Sequence, residues 1–125
     1  MKQIQTQKAV EQVEIDGKPY DIDLSDEKKQ QHFDYRQQLL DAAEKANQID
    51  SEDTEAVKQG LADLKNVTKE VTDGIMGDGV FDELYEKTGR STEGVLDVMF
   101  QVIEYINERY QEKLKEKKKK YVKKR

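Results

Sequence analysis

Val95-Leu96-Asp97-Val98-Met99-Phe100-Gln101-Val102-Ile103-Glu104-Tyr105-Ile106-Asn107-Glu108-Arg109-Tyr110 carries the strongest hydrophobic period of the sequence. Val95, Leu96, Met99, Val102, Ile103, Ile106 and Tyr110 recur at intervals of three and four, which is one face of an α-helix. Val98 and Phe100 widen that face beyond half the circumference, and Tyr105 adds to the far side. Ser91 stands where an N-cap belongs, so a helix is predicted over 92–118. An apolar surface this wide has two readings. It is the central core helix, or one of its sides receives a helix of another protein. On the second reading Val95, Met99, Val102, Ile103, Ile106 and Tyr110 are the candidate partner-binding residues, and their stripe is expected to be partly exposed in the free protein.

Downstream of Tyr110 the apolar content collapses. Leu114 is isolated, and Lys117, Lys118, Lys119 and Lys120 are four like charges in a row. Here the helix is expected to fray or to project into water. Residues 113–125 carry nine Lys or Arg against one Glu, while the preceding 112 residues carry 13 basic against 26 acidic side chains. The chain is thus an acidic body with a basic tail, and the net charge of −5 conceals the division. An acidic body repels phosphate and anionic lipid, so only Lys117, Lys118, Lys119, Lys120, Lys123, Lys124 and Arg125 are candidates to meet either. The plainer reading of the tail is a solvated extension.

Upstream, Gly89 ends a short helix expected at about 80–88, with Val80, Phe81, Leu84 and Tyr85 apolar. Before it, Gly74-Ile75-Met76-Gly77-Asp78-Gly79 reads as a flexible joint. A calcium loop fails there, because counting from Asp73 puts Ile75 and Gly77 at ligand positions and Asp78 where glycine belongs. A phosphate loop fails too, because no Gly-Lys-Ser/Thr follows. Val57, Leu61, Leu64, Thr68, Val71 and Ile75 repeat at 4-3-4-3-4 spacing, a narrow seam of coiled-coil type on a helix that starts after the break at Asp50-Ser51. Another helix is predicted over 26–48, capped by Ser25, with Phe33, Leu40, Ala43 and Ala46 on its buried face and Leu39 beside it. The short connection makes these two helices an antiparallel pair.

Residues 10–24 read as a β-hairpin. Asp16-Gly17 is a type I′ turn signal. A two-residue turn sets Ile15 opposite Lys18, Val13 opposite Tyr20 and Glu11 opposite Ile22. Val13, Ile15, Tyr20 and Ile22 then share one face, and Glu14, Asp21 and Asp23 the other. Pro19 faces Glu14 at a pair that exchanges no hydrogen bonds, so its missing N–H matters only on the outer side and marks strand 18–24 as an edge. Residues 1–9 are polar and aperiodic, a flexible start. The expected fold is therefore mainly α, a small bundle of three to four helices with an N-terminal β-hairpin (10–24), an acidic helical domain (25–112) and a basic C-terminal tail (113–125).

At 125 residues, 39% of them charged, the chain has one domain's length. Its 28 Leu, Ile, Val and Phe residues allow only a thin core, of marginal stability unless the protein self-associates. The absence of cysteine excludes disulfides, thiolate catalysis and cysteine metal sites. The N-terminus lacks an apolar signal region and no run is long enough to span a membrane, so a soluble cytoplasmic protein is expected. His32 is the one histidine, too few for a helical metal site, and is read as a partly exposed helical residue. Asp82, Glu83 and Glu86 cluster near the glycine joint, but a thin bundle offers no cleft to shift their pKa values. Asn66-Val67-Thr68 matches a glycosylation acceptor in mid-helix. No enzyme, cofactor or small-molecule substrate is expected.

The order of parts resembles the small tail assembly chaperones of long-tailed phages and prophages of Gram-positive bacteria. It rests on Val13-Glu14-Ile15-Asp16-Gly17-Lys18-Pro19-Tyr20-Asp21-Ile22, a hairpin shared by many phage tail proteins, then an acidic helical body and a lysine-rich end, over residues 10–125. The resemblance implies a protein-binding chaperone that coats the tape measure protein, a long helical chain, and keeps it soluble until tail tube protein displaces it. It also implies ribosomal frameshifting near the end of the frame, and Lys117-Lys118-Lys119-Lys120 can be encoded by the unbroken run of A on which ribosomes slip. The alternative is an accessory protein that binds nucleic acid or an anionic surface through its basic tail.

Overall fold

The structure is a computed structural model that describes residues 1–122; Lys123, Lys124 and Arg125 lie outside the described residues. Two strands, β1 (Val10–Ile15) and β2 (Lys18–Asp23), precede four helices, α1 (Asp26–Asn47), α2 (Thr54–Met76), α3 (Val80–Lys87) and α4 (Thr92–Val122). The fold is mainly α with an N-terminal hairpin, as the sequence pattern implies.

Asp16 and Gly17 both take positive φ, 50° and 85°, which is what a type I′ turn requires. The turn fixes the register: Val13 pairs with Tyr20, Glu11 with Ile22 and Glu14 with Pro19. Tyr20 and Ile22 enter the core, while Val13 and Ile15 are half-buried. Two strands leave two edges, and they are not equivalent. β2 packs on α2; on its outer side Pro19 has no N–H, and the Asp23 carbonyl is taken by His32 at 2.8 Å. β1 keeps its outer side open.

α1 departs from the expected phase. Leu39 is fully buried and His32 nearly so, whereas Phe33 is 56% exposed and Leu40 38%. The helix is polar nearly all round, so little apolar area sets its rotation. Leu39 is held in the core, and a polar contact on the same side adds to it: a carbonyl only accepts, so Nε2 of His32 carries the proton it donates to Asp23. The histidine is buried, not partly exposed. Ser25 occupies the N-cap position, but its hydroxyl makes no cap bond. Its backbone N–H donates instead to the Asp23 carboxylate at 2.8 Å.

α2 starts later than the sequence break at Asp50-Ser51, because Asp50 closes a turn onto the Glu52 N–H and Asp53 becomes the cap, accepting from the Ala56 N–H. The pair α1 and α2 is antiparallel: Gly74, near the end of α2, abuts Tyr35, and Gly60, near its start, abuts Ile49 beyond the end of α1. Of the expected seam, Leu64, Thr68, Val71 and Ile75 are buried, Val57 is half-buried, and Leu61 is 60% exposed. Leu64 is buried beside α1, outside the main core, while Val71 and Ile75 join the core to which β2, α3 and α4 contribute. Thr68 and Thr72 satisfy their buried hydroxyls on the carbonyls four residues back, Leu64 at 2.7 Å and Thr68 at 2.6 Å.

The joint is shorter than residues 74–79. Ile75 and Met76 belong to α2 and to the core, and only Gly77, Asp78 and Gly79 turn. The Asp73 carboxylate, first residue of the rejected calcium loop, accepts the Phe81 N–H at 2.9 Å and so ties α3 to α2. After α3, Gly89 and Arg90 at positive φ reverse the chain, with the Arg90 N–H donating to the Tyr85 carbonyl. Ser91 caps α4 through the Gly94 N–H at 3.0 Å, as expected. One core follows, gathered from Tyr20, Ile22 and Leu24, from Leu39, and from the facing sides of α2, α3 and α4.

Candidate docking surface

Five of the six expected partner-binding residues are not on the surface. Val95 and Met99 are fully buried, and Val102, Ile103 and Ile106 expose no more than 8%. The physical reason is that α1, α2 and α3 of the same chain all pack on α4. The stripe expected to be partly exposed is the protein's own core. Tyr110, one turn further, is half-buried.

Where α4 leaves the core it forms a notch with α1. Leu24, Phe33, Ile103, Ile106 and Tyr110 wall a cavity of about 40 Å³, room for the end of one side chain. His32 lies in its wall, and its buried Nδ1 has no hydrogen-bond partner. Lys29 and Arg36 stand at its rim. The Lys29 ammonium sits 4.2 Å from the centre of the Tyr110 ring, a cation–π contact. Neither Lys29 nor Arg36 has a carboxylate partner among the described residues. A greasy seat rimmed by unpaired cations takes an apolar side chain flanked by carboxylates. Lys29, Phe33 and Arg36 are spaced four and three apart on one helical face. That spacing is legible in the sequence, where an aromatic at Phe33 marks the face as an inward one.

A second cluster joins the hairpin to the far end of the body. Glu11 accepts from Tyr105 Oη and from Lys113 Nζ, both at 3.1 Å, with Arg109 Nε 3.4 Å away. Burial opposes ionisation of Glu11, but the hydrogen bonds from Lys113 and Tyr105 and the charges of Lys113 and Arg109 outweigh it and hold its pKa below the usual range. At the other end of the hairpin Glu83 accepts from Lys18 at 2.8 Å and from Tyr20 Oη at 2.6 Å. These bonds, Lys18 first, keep the Glu83 carboxyl low. Burial, then the bond to Glu83, pushes the Tyr20 phenol up to about 12. Glu83 is therefore a clamp between hairpin and α3. Its sequence neighbours are dispersed: Glu86 pairs with Arg90 at 2.6 Å, and Asp82 lies 3.9 Å from Lys69. The three carboxylates do not converge on a cleft.

No group of three or more His, Cys, Asp or Glu side chains is placed to hold a metal among the described residues. No described helix is long and apolar enough to cross a membrane. No protein-family model, curated protein or solved structure matches the chain.

The basic tail is helical as far as Val122, and residues 111–122 are exposed throughout. At 1.5 Å per residue these twelve residues reach roughly 18 Å beyond the last half-buried turn. Lys117, Lys118, Lys119 and Lys120 are on this projection; Lys123, Lys124 and Arg125 fall outside the described residues.

Proposed function

We propose that the protein is a carrier that holds another protein, of the tail assembly chaperone kind, and that its client is the tape measure protein of a long-tailed phage or prophage. The observation that carries this reading is the notch between α1 and α4: an exposed Phe33 beside Tyr110, with unpaired Lys29 and Arg36, on a body otherwise dominated by acid. A helical client with apolar ridges aggregates through those ridges. A carrier that seats one ridge residue in the notch and turns negative potential outward masks the ridge and keeps loaded carriers apart. The docking surface in this reading is the notch, with Ile103, Ile106 and Tyr110 contributing walls; Val95, Met99 and Val102 act only by holding the fold. Tail tube protein then displaces the carrier, in the cytoplasm of the bacterial host. The reading assigns the chain no catalytic step.

Co-expression with the tape measure protein from the same genome tests it. The client is expected to stay in the supernatant and to co-purify with the wild-type protein, and to pellet with Phe33→Ser, a substitution that spares the core because Phe33 is 56% exposed. A client that pellets equally with and without the protein overturns the reading. The projecting lysine helix favours a second reading, an accessory protein held to nucleic acid or an anionic surface. It requires binding that falls steeply with salt and disappears when residues 113–125 are removed.

A further inference from the structure

Between β1 and α4 runs a groove of about 480 Å³ walled by Val13 and Ile15 on one side and by Val98, Val102 and Tyr105 on the other. It is closed at one end by the bonds from Tyr105 and Lys113 to Glu11, and open towards the Asp16-Gly17 turn. The register turns the peptide groups of Val13 and Ile15 towards β2 and those of Val10, Gln12 and Glu14 outward, over the groove. The Val10 N–H is taken by the Lys8 carbonyl; Gln12 and Glu14 have no backbone partner on that side among the described residues. Unlike β2, β1 contains no proline. Its groove is acidic: Glu14 and Asp16 are the charged residues in its wall, and neither has an ion-pair partner among the described residues.

The stretch preceding β1 has the complementary chemistry. Residues 1–8 are exposed and form no regular structure, with Ile4 85% exposed. They carry Lys2 and Lys8 and no acid. In an extended conformation Gln3, Gln5 and Gln7 fall on one face and Lys2, Ile4, Thr6 and Lys8 on the other. From this juxtaposition of an open acidic strand edge and a basic, unpaired segment, we infer that β1 accepts residues 2–7 of a second copy of the chain as a third, antiparallel strand. Gln5 pairs with Gln12 and Gln3 with Glu14 through the backbone. Ile4 then lies beside Val13 over the groove, the glutamine amides face water, and Lys2 comes opposite Ile15 at the end of the groove next to Asp16. The segment of the same chain does not reach this place. Ala9 still accepts from the Leu24 N–H, in line with the β1–β2 ladder, and a two-residue reversal at Lys8-Ala9 needs positive φ that neither residue takes.

The inference is independent of the carrier reading and is tested without a client. Sedimentation of the full chain across a hundredfold range of concentration is expected to show a monomer–dimer equilibrium, with exchange of the Gln12 and Glu14 amides slowing at least tenfold as dimer forms. Ile4→Asp, in the exposed segment where folding is not at stake, is expected to give monomer at every concentration. Gln12→Pro, which removes an outward N–H, is expected to do the same. A synthetic peptide of residues 1–8 is expected to bind a variant lacking those residues and to slow the same two amides. Monomer throughout for the wild type overturns the inference. So does a dimer that survives Ile4→Asp, and so does protection of Gln12 and Glu14 in the monomer, which would place the chain's own segment in the groove.

Discussion

Leu39 and Leu40 are neighbours in sequence and identical in chemistry, and the phase of α1 gives them opposite surroundings. Leu39 is fully buried in the main core, while Leu40 is 38% exposed. Truncating a buried leucine to alanine removes its transfer free energy and leaves a cavity, at about 3 kcal/mol. At Leu40 the lost apolar burial is smaller and solvent fills the space, so the cost is about 1 kcal/mol or less. Against a total stability of about 5–15 kcal/mol, the first change is severe and the second slight. With an unfolding entropy of about 2.1 cal/mol/K per residue, Leu39→Ala lowers Tm by about 10 °C and Leu40→Ala by about 4 °C at most. Urea titration followed by circular dichroism, with calorimetry for Tm, reads both. A rotation of α1 that buried Phe33 and Leu40 would reverse the order, so a Leu40→Ala cost equal to or greater than that of Leu39→Ala refutes the phase and the exposure of Phe33 with it.

Three further outcomes rest on the ion pairs and the close approaches at glycines. Glu11 and Glu83 have depressed pKa values, so the stability they contribute is present above the ordinary carboxylate pKa and is lost as pH falls through their lower folded values; Tyr20, raised to about 12, contributes stability that is complete below about 10 and is lost as pH rises towards 12. Urea midpoints measured from pH 2 to 12 are expected to fall at both ends, with Glu83→Gln flattening the acid limb and Tyr20→Phe the alkaline one; an acid limb unchanged by Glu83→Gln removes the clamp from hairpin stability. Gly94→Ala brings a Cβ to 2.8 Å from the Cβ of Thr88, whose hydroxyl is bonded to the Tyr85 and Ser91 carbonyls, so overpacking outweighs the gain in helix propensity and the protein loses about 1 kcal/mol. Gly60→Ala meets only the far end of the Ile49 side chain, which can move, and is expected to be neutral or stabilising by up to about 1 kcal/mol in the same titration.

The hairpin was legible to the residue because one dipeptide dictates it: Asp16-Gly17 permits a two-residue turn, and the turn propagates a single register through Val13 and Ile22. The caps at Ser91 and Gly89 were legible for the same reason, being local. The phase of α1 was not, because it is decided at a distance. Leu39 enters the core and His32 turns inward to reach a carbonyl of β2, a phase that leaves Phe33 and Leu40 outward. Periodicity counts apolar residues and is blind to such a bond. On α4 the pattern located the helix and its stripe but could not say who covers it. The width that pointed to a partner is met by neighbours of the same chain, with α3 folded back by Gly89 to do part of the covering. The notch was missed as a consequence, since it exists only once Phe33 faces out.

α4 is one uninterrupted helix whose halves answer to different constraints. Up to Ile106 its side chains are set by the core; from Gln111 onward every described residue is exposed and no packing selects its composition. The join is marked by Glu11, which holds Arg109 and Lys113 on the last turns that touch the body. Glu11 is only 12% exposed, so this join ties the hairpin to the last turns of the body, and beyond Lys113 no hydrogen bond or ion pair among the described residues ties the projection to it. Lysines in the last turns complement the helix dipole and keep an otherwise unsupported rod helical, at a cost in mutual repulsion that salt relieves. Beyond Lys113, a tail built this way is free to be shortened, extended or recoded without disturbing the notch or the β1 groove, and a binding role there acts in addition to theirs.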